Sequence, residues 1–218
     1  MSNPALDAGF DDSTIESGRH LFTRQCLFVQ GALMLDQMPG AELPEVAFAG
    51  RSNAGKSSLL NALTGHGSLA RVSHTPGRTQ EINFFELGRR LMLADLPGYG
   101  YAAAPKDKVA AWTNFIKLYL KGRPTLRRVL VLVDARHGLK DTDREMMKLM
   151  DDAAVNYQIV LTKVDKVKPA PLERVRADTA GELTRHVAAH PLILVTSALT
   201  GAGMADVRAT LSELAVPE

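Results

Sequence analysis

The chain has 218 residues, 45% of them hydrophobic and 23% charged, which fits one ordinary globular domain and excludes wholesale disorder. A formal net charge of +2 excludes a general polybasic clamp, though not a local basic patch, and the lone Cys26 excludes an intrachain disulfide or a cysteine metal cluster. No apolar run approaches the ~20 residues of a membrane span, and the acidic N-terminus lacks the features of a secretory signal, so a cytoplasmic monomer away from membranes is the expectation.

Taken in order, residues 1–20 are polar, acidic and without period, and read as a mobile tail ahead of a domain spanning 21–218. A short strand is predicted at Cys26–Val29 and another at Val46–Ala49, the second ending at Gly50 and followed by a helix over Lys56–Leu63. Asn83–Leu87 and Leu91–Ala94 flank Gly88-Arg89-Arg90, the pattern of a hairpin. Val129–Val133, Ile159–Leu161 and Leu192–Val195 are short continuous apolar runs, as buried parallel strands are. Val109, Trp112, Ile116 and Tyr119 recur at helical spacing, and Asp141–Asp152, Leu172–Ala189 and Met204–Leu214 supply further helices. Strand and helix in alternation predict an α/β fold, with a mostly parallel sheet covered on both faces.

Gly50-Arg51-Ser52-Asn53-Ala54-Gly55-Lys56-Ser57 satisfies G-x-x-x-x-G-K-[ST] and stands between a predicted strand and a predicted helix. In such a loop the glycines let backbone N–H groups turn around a β-phosphate, and the helix adds the positive end of its dipole. Lys56 can bridge the β- and γ-phosphates, and the Ser57 hydroxyl can ligate Mg²⁺.

Thr162-Lys163-Val164-Asp165 follows the Ile159–Leu161 strand, where a base pocket forms at the carboxyl edge of an open sheet. A carboxylate at Asp165 can accept from guanine N1–H and the exocyclic amine, and the Lys163 stem can cover one face of the base. Ser197-Ala198, after the last strand, can present backbone N–H groups to guanine O6, with Thr196 beside them in the site. Asp95-Leu96-Pro97-Gly98 ends the Leu91–Ala94 strand; Asp95 can hold Mg²⁺ through water, and the Gly98 N–H can sense the γ-phosphate. Upstream, Gly77-Arg78-Thr79-Gln80-Glu81 places Thr79 to give Mg²⁺ a second hydroxyl. In this order the elements describe a GTPase with two segments that order around γ-phosphate and Mg²⁺.

The chain resembles the EngB (YihA/YsxC) family of bacterial GTPases, in the TrmE–Era–EngA–EngB group. The resemblance rests on Pro44-Glu45-Val46-Ala47-Phe48-Ala49-Gly50-Arg51-Ser52-Asn53, on Thr75-Pro76-Gly77-Arg78-Thr79-Gln80, on Asn83-Phe84-Phe85, on Asp95-Leu96-Pro97-Gly98-Tyr99-Gly100-Tyr101-Ala102 and on Thr162-Lys163-Val164-Asp165. It implies a three-layer Ras-like domain with one antiparallel edge strand. It also implies slow Mg²⁺-dependent hydrolysis of GTP to GDP, a role in assembling the large ribosomal subunit, and a requirement in cell division and septation.

Tyr99 stands where many GTPases carry the glutamine that orients the attacking water, so low intrinsic turnover is expected. Lys56, Thr79 and Gly98 are the catalytic candidates. Two roles fit Asn53: holding a potassium ion beside the phosphates, as in some relatives, or bonding the first switch. Arg78 fits a finger in cis or a solvated loop. Lys117, Lys121, Arg123, Arg127 and Arg128 fall in an acid-free stretch, which fits a ribosomal RNA contact or a solvated helix end. His186 and His190 lie four apart on a predicted helix, a zinc-capable spacing without a third ligand. Two rival readings stand beside the GTPase: a nucleotide-dependent binding module in which hydrolysis is incidental, and a P-loop ATPase, against which Asp165 argues.

Overall fold

Three central strands are buried at every position, with alternate side chains entering two separate cores. The computed structural model describes residues 8–65, 81–100 and 106–217, with the backbone alone for 106–111. In chain order its strands are Cys26–Ala32 (β1), Glu45–Gly50 (β2), Ile82–Leu87 (β3), Leu91–Asp95 (β4), Leu126–Asp134 (β5), Tyr157–Thr162 (β6) and Leu194–Val195 (β7). The helices are Asp12–Leu21 (α1), Lys56–Thr64 (α2), Lys106–Gly122 (α3), Asp141–Asp152 (α4), Pro169–Leu183 (α5) and Met204–Leu214 (α6).

The seven strands form one sheet in the order β1-β3-β4-β2-β5-β6-β7. Pairing is parallel from β4 through β2, β5 and β6 to β7. Only β3 runs against the rest, pairing antiparallel with both β1 and β4. The expected antiparallel strand therefore sits one place in from the edge, with β1 outside it. Along β5, Val129, Val131 and Val133 join one core, while Leu130 and Leu132 join the other. That alternation puts side chains on opposite faces of the pleat. The first face is covered by Ile116 and Tyr119 of α3, Met146, Met147 and Met150 of α4, and Leu172 of α5. The second is covered by Leu21 of α1, Leu59, Leu60 and Leu63 of α2, and Val207 and Leu211 of α6. The result is three layers.

The tail expectation needs correction. Residues 12–21 form α1, whose first turn is capped by the Asp11 carboxylate accepting the Thr14 N–H at 2.7 Å. Gly18, Leu21 and Phe22 form a short buried stripe, which a glycine and many charges conceal at the level of composition. Gly18 is where α1 meets α6: a Cβ there would lie 2.5 Å from the Ala209 N and 2.8 Å from the Arg208 O. Residues 1–7 lie outside the described residues.

Two further expectations change. Helix α5 ends at Leu183, short of Ala189, so His186 and His190 do not share a helical face. Instead His186 Nδ1 lies 2.6 Å from Asp151 Oδ2, and the same carboxylate accepts the Ala188 N–H at 3.0 Å. The basic stretch also divides. Arg123 is buried, forks onto Glu45 at 2.8 and 2.9 Å and donates to the Pro39 carbonyl at 2.8 Å; Glu45, fully buried, also accepts the Tyr119 hydroxyl at 2.6 Å. Arg128 donates to Asn156 and Gln158. Lys117, Lys121 and Arg127 stay exposed.

Gly18→Ala tests the docking of α1. In an open helix the change would stabilise by about 0.5–1 kcal/mol, but overpacking against backbone costs about 1–3 kcal/mol. The thermal midpoint should fall by several degrees; an unchanged or raised midpoint would show that α1 is not held against α6.

Candidate nucleotide-binding site

The loop between β2 and α2 is set by backbone geometry. Gly50 ends the central strand, where a Cβ would lie 3.0 Å from the Leu132 carbonyl oxygen. Asn53 and Gly55 take positive φ, +65° and +98°. Glycine allows this freely and asparagine tolerates it better than most residues. Two carbonyls on the loop's outer side are held by the last residue of β6 and the residue after it. Thr162 Oγ1 donates to the Ala54 carbonyl at 2.6 Å, and Lys163 Nζ donates to the Asn53 carbonyl at 2.6 Å. Because a trans peptide opposes its C=O and N–H, the Gly55 N–H faces away from Thr162. No side chain caps α2. Its first amides are thus left for an anion, with the dipole favouring negative charge.

At the floor of this loop Lys56 Nζ lies 2.5 Å from Asp95 Oδ1, both side chains 12% exposed. Asp95 reaches this place because β4 pairs with β2 and sets Phe48 opposite Asp95. The Leu96 N–H extends that ladder to the Phe48 carbonyl at 3.0 Å. Ser57 is the second residue of α2, next to Lys56. A serine hydroxyl and one carboxylate are hard oxygen donors, few in number, which suits Mg²⁺ since it keeps waters and takes phosphate oxygens. Pro97 and Gly98 follow. Gly98 closes on the loop so tightly that a Cβ would lie 3.1 Å from the Ser52 Cα and N. Tyr99 then pairs with the loop: its N–H donates to the Gly50 carbonyl at 3.2 Å, and its carbonyl accepts the Ser52 N–H at 3.1 Å.

Beside the loop lies a cavity of about 580 Å³, lined by Gly55, Ser58, Leu59, Asn61, Ala62 and Gly65 from the α2 side. Thr162, Lys163, Asp165, Lys166, Thr196, Ala198 and Leu199 line it from the carboxyl edge of the sheet. Its volume falls in the range that buries a small ligand. Asp165 Oδ1 accepts the Ser197 hydroxyl at 2.6 Å. That bond, with Lys166, holds its carboxyl below the usual carboxylate range, so it is an ionised acceptor at neutral pH. Ser197 serves the pocket by orienting Asp165 and not through its own N–H, which the Ala202 carbonyl takes at 3.0 Å as the Leu161 carbonyl takes that of Thr196 at 2.7 Å, while Val164 is buried and faces the core.

The structure thus brings together residues 50–57, Asp95–Gly98, Thr162, Lys163, Asp165 and residues 196–198. Gly77, Arg78, Thr79 and Gln80 lie outside the described residues. Glu81 is described, and its carboxylate sits beside Gly31 on the outermost strand, where a Gly31 Cβ would come within 2.7 Å of it.

Two carboxylates escaped the reading of the sequence. Asp134 closes β5 and takes Lys163 Nζ at 3.0 Å, along with a fork from Arg136. Burial opposes its ionisation, but the Arg136 and Lys163 cations prevail and hold its carboxyl far below the ordinary value. Its signal was available: it is the first charged residue after an apolar run, at the carboxyl edge of the sheet where ligands bind. Asp143, on α4, accepts the Tyr99 hydroxyl at 2.9 Å. Nothing in its local sequence points to that contact, which spans 44 residues.

Comparison with known proteins agrees with this geometry. The family model described as 50S ribosome-binding GTPase matches residues 45–163, more than half of the chain, and that of the elongation factor Tu GTP-binding domain matches 112–217. A probable GTP-binding protein EngB of Rhodospirillum rubrum is 54% identical, the match covering 98% of this chain and 97% of that protein. Its counterpart in Ruegeria pomeroyi is 54% identical over 94% of each. Among solved structures, a probable GTP-binding protein EngB superposes with a TM-score of 0.62 at 22% identity, over 78% of this chain and 97% of that one. Era in complex with MgGDPNP and nucleotides 1506–1542 of 16S ribosomal RNA gives 0.61 at 24% identity, over 81% of this chain and 57% of that one. At such identities the solved structures speak for the fold alone. The sequence relatives go further: with identity above half over nearly the whole length of both chains, the chain belongs to the EngB family of P-loop GTPases.

Proposed function

We propose that the protein binds Mg²⁺·GTP, hydrolyses it slowly and uses the two nucleotide states as a switch in assembling the large ribosomal subunit. The observation that carries the guanine assignment is the Asp165 carboxylate, oriented by Ser197 on the wall of the cavity beside the phosphate loop. In this reading residues 50–57 cradle the phosphates, with Lys56 on the β- and γ-phosphates. Ser57, Thr79 and a water on Asp95 hold Mg²⁺, and the Gly98 N–H takes the γ-phosphate. Thr162–Asp165 and Thr196–Ala198 hold the base. Mg²⁺ would neutralise charge developing on the phosphoryl oxygens.

Tyr99 cannot position the attacking water, because its ring is buried and its hydroxyl is committed to Asp143. Unassisted turnover on the order of 10⁻⁴ to 10⁻² s⁻¹ follows by analogy with other GTPases, with a ribosomal partner supplying the remainder. The description of the matching family as ribosome-binding supports that partner, and the family resemblance extends the role to division and septation in the cytoplasm. The binding-module alternative keeps the same site and removes only the relevance of hydrolysis.

Fluorescent GDP bound to the wild type should be displaced by GTP and not by ATP, and this selectivity should vanish in Asp165→Asn. Equal displacement by ATP would overturn the guanine assignment. Asn53 is exposed at the lip of the loop and open to either of its two roles, and the monovalent-cation role makes a testable demand. Turnover is then several-fold faster in potassium than in sodium chloride at matched ionic strength, and equal rates remove the cation. For the ribosomal contact, Lys117→Glu, Lys121→Glu and Arg127→Glu together should weaken co-sedimentation with large-subunit particles and flatten its salt dependence. GTP affinity should stay unchanged. Undiminished co-sedimentation would place the contact elsewhere.

A further inference from the structure

The Asp143 carboxylate is fully buried yet belongs to no residue of the nucleotide site. It lies in the first turn of α4, where Oδ2 takes the Lys140 N–H at 2.9 Å and closes the helix start. Two partners come from far along the chain. The Tyr99 hydroxyl donates to Oδ1 at 2.9 Å, and Arg51 Nε lies 3.0 Å from Oδ2. Arg51 is the second residue of the phosphate loop, and Tyr99 follows the Asp95–Gly98 segment. One charge therefore ties together a helix, the phosphate loop and the segment carrying Gly98. Met146, Met147 and Met150, buried on the same helix, root α4 in the core, so the anchor point is rigid.

We propose that Asp143 is a positioning residue for the γ-phosphate response, holding Tyr99 and Arg51 so that Gly98 stays pressed against the phosphate loop before nucleotide arrives. The geometry leaves Gly98 little freedom once Tyr99 is fixed. Tyr99 is paired with the loop through its N–H and its carbonyl, at 3.2 and 3.1 Å, and its side chain is anchored behind it. Gly98, the residue before it, lies so close to Ser52 that a Cβ would come within 3.1 Å of its backbone. Releasing the hydroxyl would let this segment leave the loop, and the cost would fall on the ligand that needs the Gly98 N–H. GTP needs it; GDP does not. Tyrosine at this place thus has a task of its own, replacing a water-positioning side chain with an anchor.

This inference rests on the reading of Gly98 as the γ-phosphate contact, and the experiment separates the two. Affinities for GDP and for a non-hydrolysable β,γ-imido GTP analogue are measured with Mg²⁺ on wild type, Tyr99→Phe, Asp143→Asn and Gly98→Ala, each checked for a cooperative melt. Tyr99→Phe keeps the buried ring and removes only the hydroxyl. Its preference for the GTP analogue over GDP should fall by about tenfold, the order expected for a hydrogen bond to a charged group. GDP affinity should stay within about twofold. Asp143→Asn, whose amide oxygen can still accept the hydroxyl, should lose less. Gly98→Ala should abolish the preference. If Tyr99→Phe keeps the wild-type preference while Gly98→Ala loses it, Asp143 is only a structural residue and the proposal fails. A Tyr99→Phe variant that weakens both nucleotides equally sinks it too. If Gly98→Ala keeps the preference, the reading of Gly98 itself is wrong, and the inference falls with it.

Discussion

Everything in the site depends on which way the peptide planes of the phosphate loop face. An amide can meet a phosphate only if its carbonyl partner is turned outward, and a carbonyl turned outward in a half-buried loop must find a donor. Thr162 supplies that donor to Ala54 and so turns the Gly55 amide inward, while Lys163 caps the Asn53 carbonyl, whose peptide N–H, on Ala54, donates back to the Arg51 carbonyl at 2.9 Å. The segment that would read the base is therefore the same segment that keeps the phosphate loop open. A substitution at Thr162 would damage both functions together.

The sheet makes this economy possible. β2, β5 and β6 are parallel neighbours, so their carboxyl ends emerge side by side. The residues found there are Gly50, Asp134 and Thr162, each the last of its strand. Asp134 stands between the other two, and Lys163 bridges it to Asn53 across the phosphate loop. A lysine free in solution would lose up to about 2 kcal/mol of side-chain entropy on being fixed over a base. Here the ion pair with Asp134 has already ordered it.

The sequence made the central strands, the hairpin, α2, α4 and α6 legible because their periods are clean and their ends are marked by glycine or charge. α4 runs from Asp141 to Asp152 as its charged ends suggest. The phosphate loop and the Thr162–Asp165 segment were legible for a stronger reason: their chemistry allows few residue types at fixed spacing. What escaped was whatever depends on tertiary contact. α1 has only a narrow stripe, and its docking relies on the missing side chain of Gly18, which no pattern of hydrophobicity registers. Arg123 reads as a surface cation until Glu45, far away in the chain, is seen to be buried beside it. Asp143 carries an ordinary helix-capping signature, and its second duty to Tyr99 and Arg51 exists only in three dimensions.

The contact between Lys56 and Asp95 shows how the proposed ligands depend on one another. Both groups are largely withdrawn from water and neutralise each other at 2.5 Å. When Lys56 turns to the phosphates, Asp95 loses its counter-charge in a place where solvent cannot fully replace it, which costs free energy. A hydrated Mg²⁺ held beside Asp95 and Ser57 would restore that charge balance. Nucleotide binding and metal binding are then two halves of one exchange of charge. The Gly98 segment follows directly on Asp95-Leu96-Pro97, so that exchange would be felt at one of its ends, while Tyr99 and Asp143 hold the other against the phosphate loop. A short segment held at both ends responds to the nucleotide as a unit, and that is the property a switch requires.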